Sequence, residues 1–177
     1  MNVLRKVLYR IYRFSCGLWN HQYYSYPNIS PKVKFSAAYP GIVIIVSPEK
    51  CSIGEGTVIN ADSVIHCQGG VKIGSFVHIG HGLCVYSSNH NYASERAIPY
   101  DDTDILKPVE IGDCVWIGAN VSIVPGVKIA EGVLVSMGSV ITCDVPAGAI
   151  VRGNPAKIIG YRKMDTYMRL KMEKKFN

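Results

Sequence analysis

The 177-residue chain contains no Cys-x-x-Cys pair and no cysteine–histidine cluster with zinc-finger spacing. Its six cysteines, at 16, 51, 67, 84, 114 and 143, are scattered, as small apolar residues are in a reducing compartment. No stretch approaches the roughly 18 apolar residues that span a bilayer. No uninterrupted apolar segment follows the basic first residues, so a signal peptide is not expected and a cytoplasmic setting is. Neither a Walker A loop nor a GxGxxG turn competes for a nucleotide. Acidic residues are the scarcer charge, 13 against 19 Lys and Arg. The net charge of +6 admits nucleic acid, a membrane face or a phosphorylated cofactor as partner, or serves solubility alone.

What is present is a beat of six. Ile53, Ile59 and Ile65 open it. Ile73, Ile79 and Val85 resume after a two-residue slip at Gly69-Gly70. Ile111, Ile117, Ile123, Ile129, Val135 and Ile141 run unbroken. A period of six fits neither a helix at 3.6 nor a strand at 2, and signals stacked repeats. The fifth position of each hexad is small or β-branched: Thr57, Ser63, Val77, Val115, Val121, Val127, Val133, Ser139 and Val145, with Leu83 an exception. The second is often glycine, at 54, 74, 80, 112 and 118, as suits a corner where φ can be positive. Short strands turning every six residues build a flat-walled prism with the aliphatic residues along its axis.

Three units follow. In the first, residues 1–20, Val3, Leu4, Val7, Leu8 and Ile11 alternate with Arg5, Lys6, Arg10 and Arg13 over 1–16, an amphipathic helix that Gly17 is expected to stop. It packs on the body or a sister subunit, or lies on an anionic membrane face. The second, residues 21–160, begins Tyr-, Pro- and Ser-rich, with strand-like Ile42 to Val46, and holds the repeat with one interruption, the loop 87–108. The third, residues 161–177, reads as a helix shielding the last rung.

Ile53-Gly54-Glu55-Gly56-Thr57-Val58, Ile117-Gly118-Ala119-Asn120-Val121, and the stretch from Pro125-Gly126-Val127 to Gly153-Asn154-Pro155-Ala156-Lys157 resemble hexapeptide-repeat acyltransferases. The branch most similar is that of maltose, galactoside and polysaccharide O-acetyltransferases. The resemblance implies an all-β fold, a left-handed parallel β-helix with short N- and C-terminal helices. It further implies a homotrimer with sites between neighbouring prisms, loop 87–108 closing over a neighbour's site, and acetyl-CoA as co-substrate with no metal. The acceptor implied is a sugar hydroxyl in surface-polysaccharide synthesis, with the enzyme cytoplasmic, at the inner membrane face if residues 1–16 touch it. No nucleic-acid partner is implied.

His90, in Ser87-Ser88-Asn89-His90-Asn91-Tyr92, stands where the beat stops. An alcohol attacking a thioester needs its proton withdrawn, and histidine can take and return one near neutral pH. The family places its base here. Asn60 corresponds to a family Asn that helps hold the acceptor, while Gln68 replaces an Asp of the simple sugar-specific enzymes. Trp116 is expected to face outward, as an interface or pantetheine contact. Amides near Ala119 are the candidate oxyanion donors. By the same correspondence Ala119, Met137, Thr142, Cys143 and Lys157 contact the cofactor. Met137 stands for a usual Ala and Cys143 for a usual Lys, so Lys157, with Arg152 or Arg162, would supply the cation for phosphate. His66, His78 and His81 read as wall residues. His78 and His81, three apart, lack the spacing of the zinc hydratases that share this fold. Other readings keep the cofactor and change the acceptor to an amino-sugar nucleotide, serine or an antibiotic, or remove catalysis and leave a scaffold.

Overall fold

All twelve beat residues are buried, none above 2% exposed. In this computed structural model, which describes residues 3–36 and 40–176, they line the axis of a prism of about six turns. Each wall is a parallel ladder that takes one hexad, a third of a turn, from each turn of the chain. Wall 1 stacks Lys34–Phe35, Val58–Ile59, His78–Ile79, Trp116–Ile117, Leu134–Val135 and Ala149–Gly153. Wall 2 stacks Val43–Val46, Ser63–His66, Cys84–Tyr86, Ser122–Ile123 and Val140–Ile141. Wall 3 stacks Cys51–Ile53, Val71–Ile73, Val109–Ile111 and Lys128–Ile129, with single bridges from Ile29 and Val145 at its ends. Equivalent residues stand directly above one another: Ile59 on Ile79, Ile79 on Ile117, Ile117 on Val135. Each buried Ile or Val stabilises the column by about 1.5–3 kcal/mol.

The glycines do a different job from the expected one. Second-position glycines do not adopt positive φ; that conformation falls at the fourth position, as in Gly56, Gly82, Gly132 and Gly138 and in the non-glycines Asp62, Phe76, Cys114 and Asn120. The second position needs glycine because the next turn passes so close. A Cβ on Gly80 would lie 2.7 Å from the Ala119 amide nitrogen, and one on Gly118 2.5 Å from that of Met137. Asn60, at a second position, likewise is not among the positive-φ residues.

The expected first helix, α1, runs Val3–His21, straight through Gly17. It continues because its last turn is anchored: Cys16 and Asn20 are buried, and Asn20 donates to the Gly41 carbonyl while accepting from the Val43 amide. Tyr23 Oη donates to the Val43 carbonyl and accepts from the Ile45 amide. Together these side chains block the open edge of wall 2. Residues 4–15 of α1 all stay exposed, Tyr9 and Arg13 only lining a hollow against the body, so packing on the body, one of the two expectations for this helix, buries none of them. Positions 1, 2 and 177 of the expected terminal helices lie outside the described residues.

The C-terminal helix, α2, is Met164–Met172, and it does not cap the last rung as the sequence suggested. An unforeseen antiparallel strand, Ala156–Tyr161, pairs with Ala149–Gly153 and closes wall 1. The chain then turns, and α2 runs along the corner between walls 3 and 1. Met164 sits against Gly148, Tyr167 against Gly132, Lys171 pairs with Glu131, and Phe176 stacks on Phe76 at 3.9 Å between ring centroids. Burial pushes the Tyr167 hydroxyl well above its ordinary range.

Candidate active site

The interruption at 87–108 is an ordered hairpin, not an unpatterned loop. Ser88–His90 pairs antiparallel with Asp104–Leu106, setting Asp104 opposite His90. Its base is pinned at the corner between walls 2 and 3. Fully buried Ser87 donates through its hydroxyl to the His66 carbonyl and accepts from the Gly69 amide, and its own carbonyl accepts from the Lys107 amide. The far end is tied by Asp101. Its carboxylate receives the Asn91 amide group at 3.0 Å, the Arg96 guanidinium at 2.9 Å and the Thr103 amide at 2.8 Å. Hydrogen bonds from Ser94, then from the Thr103 backbone, hold its pKa well below the usual carboxylate range.

His90 is therefore a positioned side chain. Its Nδ1 lies 3.1 Å from Asp104 Oδ1, and its ring stacks on Tyr100 with centroids 4.0 Å apart and planes 11° from parallel. The other Asp104 oxygen receives the Gln68 side-chain amide at 2.6 Å, and the Gln68 carbonyl oxygen in turn receives the Ser88 hydroxyl. With Nδ1–H directed at a carboxylate, the tautomer that carries its lone pair on Nε2 is favoured. An Nε2 lone pair beside bulk solvent can accept a proton from an incoming hydroxyl or amine. Asp104, Tyr100 and Gln68 were not picked out as positioning residues. Asp104 lies 14 residues beyond His90 and Gln68 36 residues before Asp104; the hairpin register sets Asp104 against His90, and side-chain contacts bring Gln68 and Tyr100 to the pair.

Five of the remaining expected site residues divide between two edges of the prism. Asn60, Ala119 and Met137 line the corner between walls 1 and 2: Ala119 stacks over Gly80 and Met137 over Gly118. Asn60 donates its side-chain amide to the Ile79 carbonyl at 2.8 Å. Flanking amides are used up, since Gly118 donates to Val135 and Asn120 to His81. Among the described residues the Ala119 N–H has no acceptor, so it is available to an anion. Met137 is exposed, its side chain standing off the corner. Thr142 and Cys143 are exposed on the corner between walls 2 and 3, the edge that also carries His90. One prism therefore does not bring His90 and the Ala119 amide to a common edge.

Lys157 and Trp116 lie apart from both groups. Lys157 is exposed on the terminal hairpin, opposite Arg152. Trp116, about half exposed on wall 1 between His78 and Leu134, lines a cleft of about 710 Å³ closed by Tyr167 of α2 and by Phe176 beyond its end. His66 stacks on Tyr86, and among the described residues no group of three His, Cys, Asp or Glu side chains is set to hold a metal.

Comparison with known proteins accords with this architecture. Residues 108–143 match the bacterial transferase hexapeptide family model, described as six repeats. A Saccharomyces cerevisiae protein, YJL218W, provisionally named an acetyltransferase, is 37% identical over 107 residues, 60% of this chain. The chain spans only 54% of that relative's length. The Bacillus subtilis protein YvoF, also provisionally named an acetyltransferase, is 33% identical over 155 residues, 88% of this chain and 73% of YvoF. A hexapeptide-repeat acetyltransferase from Vibrio cholerae O1, solved in complex with acetyl coenzyme A, superposes with a TM-score of 0.68 at 28% identity. That match covers 81% of this chain and 76% of the other. A stacked six-residue coil, the matched repeat and one-third identity to YvoF across most of both chains establish that this protein belongs to the hexapeptide-repeat acetyltransferase family.

Proposed function

We propose that the protein transfers an acetyl group directly from acetyl-CoA to a sugar hydroxyl, with His90 as general base. The observation that carries this reading is the Asp104–His90 pair, which leaves Nε2 of a stacked, oriented imidazole facing solvent. As the acceptor oxygen bonds to the thioester carbonyl carbon, its proton passes to Nε2. The tetrahedral oxyanion accepts from the Ala119 N–H. The carbon–sulfur bond then breaks, and the CoA thiolate takes the proton back from the imidazolium. No acyl-enzyme forms.

The split of site residues between two edges supports a trimer in which His90 of one prism works beside the Ala119 corner of the next. The hairpin's exposed Tyr92 and Ile98 give it an apolar tip suited to such a neighbour. In this reading Lys157 and Arg152 meet the cofactor phosphates, Asn60 holds the acceptor, and Met137, Thr142 and Cys143 line the pantetheine path. Trp116, in its own cleft, is left as an interface contact. Surface-polysaccharide synthesis is the setting that fits a sugar acceptor.

The test follows CoA thiol release with a panel of sugar, amino-sugar-nucleotide, serine and antibiotic acceptors. Wild type turns over a sugar hydroxyl while His90→Ala loses about 10²–10⁴-fold in kcat/KM. Wild-type turnover by the variant sinks the base assignment. A preference for an amino acceptor replaces O- by N-acetylation.

A further inference from the structure

Helix α1 turns its apolar side away from the rest of the protein. Its rotation is fixed by buried Cys16 and Asn20, and Tyr9 and Arg13 line the same hollow against the body. Those four residues follow i, i+4, i+7, i+11 spacing and form one stripe. Leu4, Val7, Leu8, Ile11, Phe14 and Leu18 form a second stripe, centred about half a turn round the helix. All six are between 45% and 68% exposed. Tyr12 and Trp19 border it, and the Trp19 indole donates to the Val43 carbonyl, holding the helix end to wall 2. Arg5, Lys6, Arg10 and Arg13 interrupt the polar sides, and Val3–His21 contains no acidic residue.

Two occupants could cover such a stripe: the same helix from another copy, or a lipid surface. A bundle of copies would gather four cations per helix with no carboxylate of the helix to offset them. An anionic bilayer offsets every one of them and accepts the leucines, phenylalanine and flanking aromatics below its headgroups. Among the described residues no helix is long and apolar enough to cross a membrane, so the fitting mode is lying in the interface.

We propose that α1 is a membrane-docking helix that holds the prism against an anionic lipid surface. The Leu4–Leu18 stripe immerses and the Cys16–Asn20 side tethers the body above the headgroups. This does not rest on the chemistry assigned to His90.

The experiment uses the full chain and two sets of vesicles, one of phosphatidylcholine alone and one of equal parts phosphatidylcholine and phosphatidylglycerol. Sedimentation is expected with the anionic vesicles, to weaken steeply with salt, and to be slight with phosphatidylcholine. Leu8→Glu with Ile11→Glu should weaken binding at least about tenfold. Replacing Arg5, Lys6 and Arg10 by Gln should abolish the lipid preference, at about fivefold per cation. Both variants should keep the wild-type melting temperature and solution mass, because the altered side chains are exposed. Salt-independent binding, equal binding to both vesicle types, or unchanged binding by the Glu variant would overturn the proposal. A Glu variant that loses mass in solution, from a wild type that ignores vesicles, would instead make the stripe a contact between copies.

Discussion

Asp104 Oδ1 stands 3.1 Å from His90 Nδ1, and the strand pairing that sets this distance also brings the Ser88 hydroxyl onto Gln68 and the Gln68 amide onto Asp104. Both partners of the Asp104–His90 pair are partly exposed, so it adds little to stability. Its effect is on orientation and tautomer.

Asp104→Asn is therefore expected to leave the melting temperature within a degree or so and to lower kcat by about 10–100-fold, with KM for acetyl-CoA unchanged. An Asn can offer its own N–H to Nδ1, which moves the lone pair to the wrong nitrogen. Gln68→Ala removes only the outer support and should cost less. Steady-state kinetics on the three proteins checks this. Equal kcat in wild type and Asp104→Asn would mean that the hairpin alone positions the imidazole.

Gly118 and Gly138 predict contrasting outcomes for the same substitution. Gly118→Ala places a methyl 2.5 Å from the Met137 nitrogen, a backbone atom that cannot swing away. The two turns must part, at a cost of about 1–3 kcal/mol, and the shift displaces Ala119 next door. Activity should fall along with stability. A Cβ added at Gly138 would meet nothing within 4 Å, and the backbone has φ 69°. Ala there costs about 1–2 kcal/mol through conformation alone and leaves Ala119 where it is. Urea melts paired with rates separate the two cases.

The axis of the fold was legible because burial itself recurs every sixth residue, so Ile59, Ile79 and Ile117 announce their stacking directly. Position-specific backbone conformation was not legible. Phe76 and Cys114 hold positive φ that their side chains disfavour, because neighbouring turns fix them through hydrogen bonds, the Phe76 amide donating to the Glu55 carbonyl and the Cys114 amide to that of Ser75. The continuation of α1 through Gly17 was hidden for a related reason: the anchor is Asn20 bonding to strand Val43–Val46, a contact between segments that local pattern does not record. Of the candidate site, His90 could be found from the break in the beat. Its companions Asp104 and Tyr100 could not, since the hairpin register that unites them lies in a segment with no alternation of its own.

Lys157 gives a third prediction. It sits opposite Arg152 at the tip of the closing hairpin, and both are exposed with no acidic partner in the strand pair. Two cations held side by side suit a phosphate, where a charge-assisted bond is worth about 1.5–3 kcal/mol. Lys157→Ala should raise KM for acetyl-CoA about tenfold, toward the low end because the site is open to solvent, and leave kcat alone. Raising the salt concentration should erase most of the difference. A fall in kcat with KM unchanged would instead tie the hairpin to the chemical step.

Asp101 makes the order of the His90 hairpin a matter of charge. Because its folded pKa is held well below the usual carboxylate range, it stabilises the hairpin above its unfolded value of about 3.9. That contribution is lost only as the pH falls through the lower, folded value. Between about pH 8 and 5 the hairpin should therefore hold, and amide protection at Thr103, corrected for intrinsic exchange, should stay flat before declining in stronger acid. Asp101→Asn removes the charge at every pH. Arg96, which bonds Asp101, Asp102 and Thr103, then loses its strongest partner. Trypsin should cut after Arg96 in the variant under neutral conditions in which wild type resists, and Tyr100 should no longer be held over the imidazole. Activity should drop in parallel with cleavage susceptibility, while the prism, whose core lies behind Ser87, melts as before. Wild-type resistance in the variant would show that the Ser87 base holds the hairpin without Asp101.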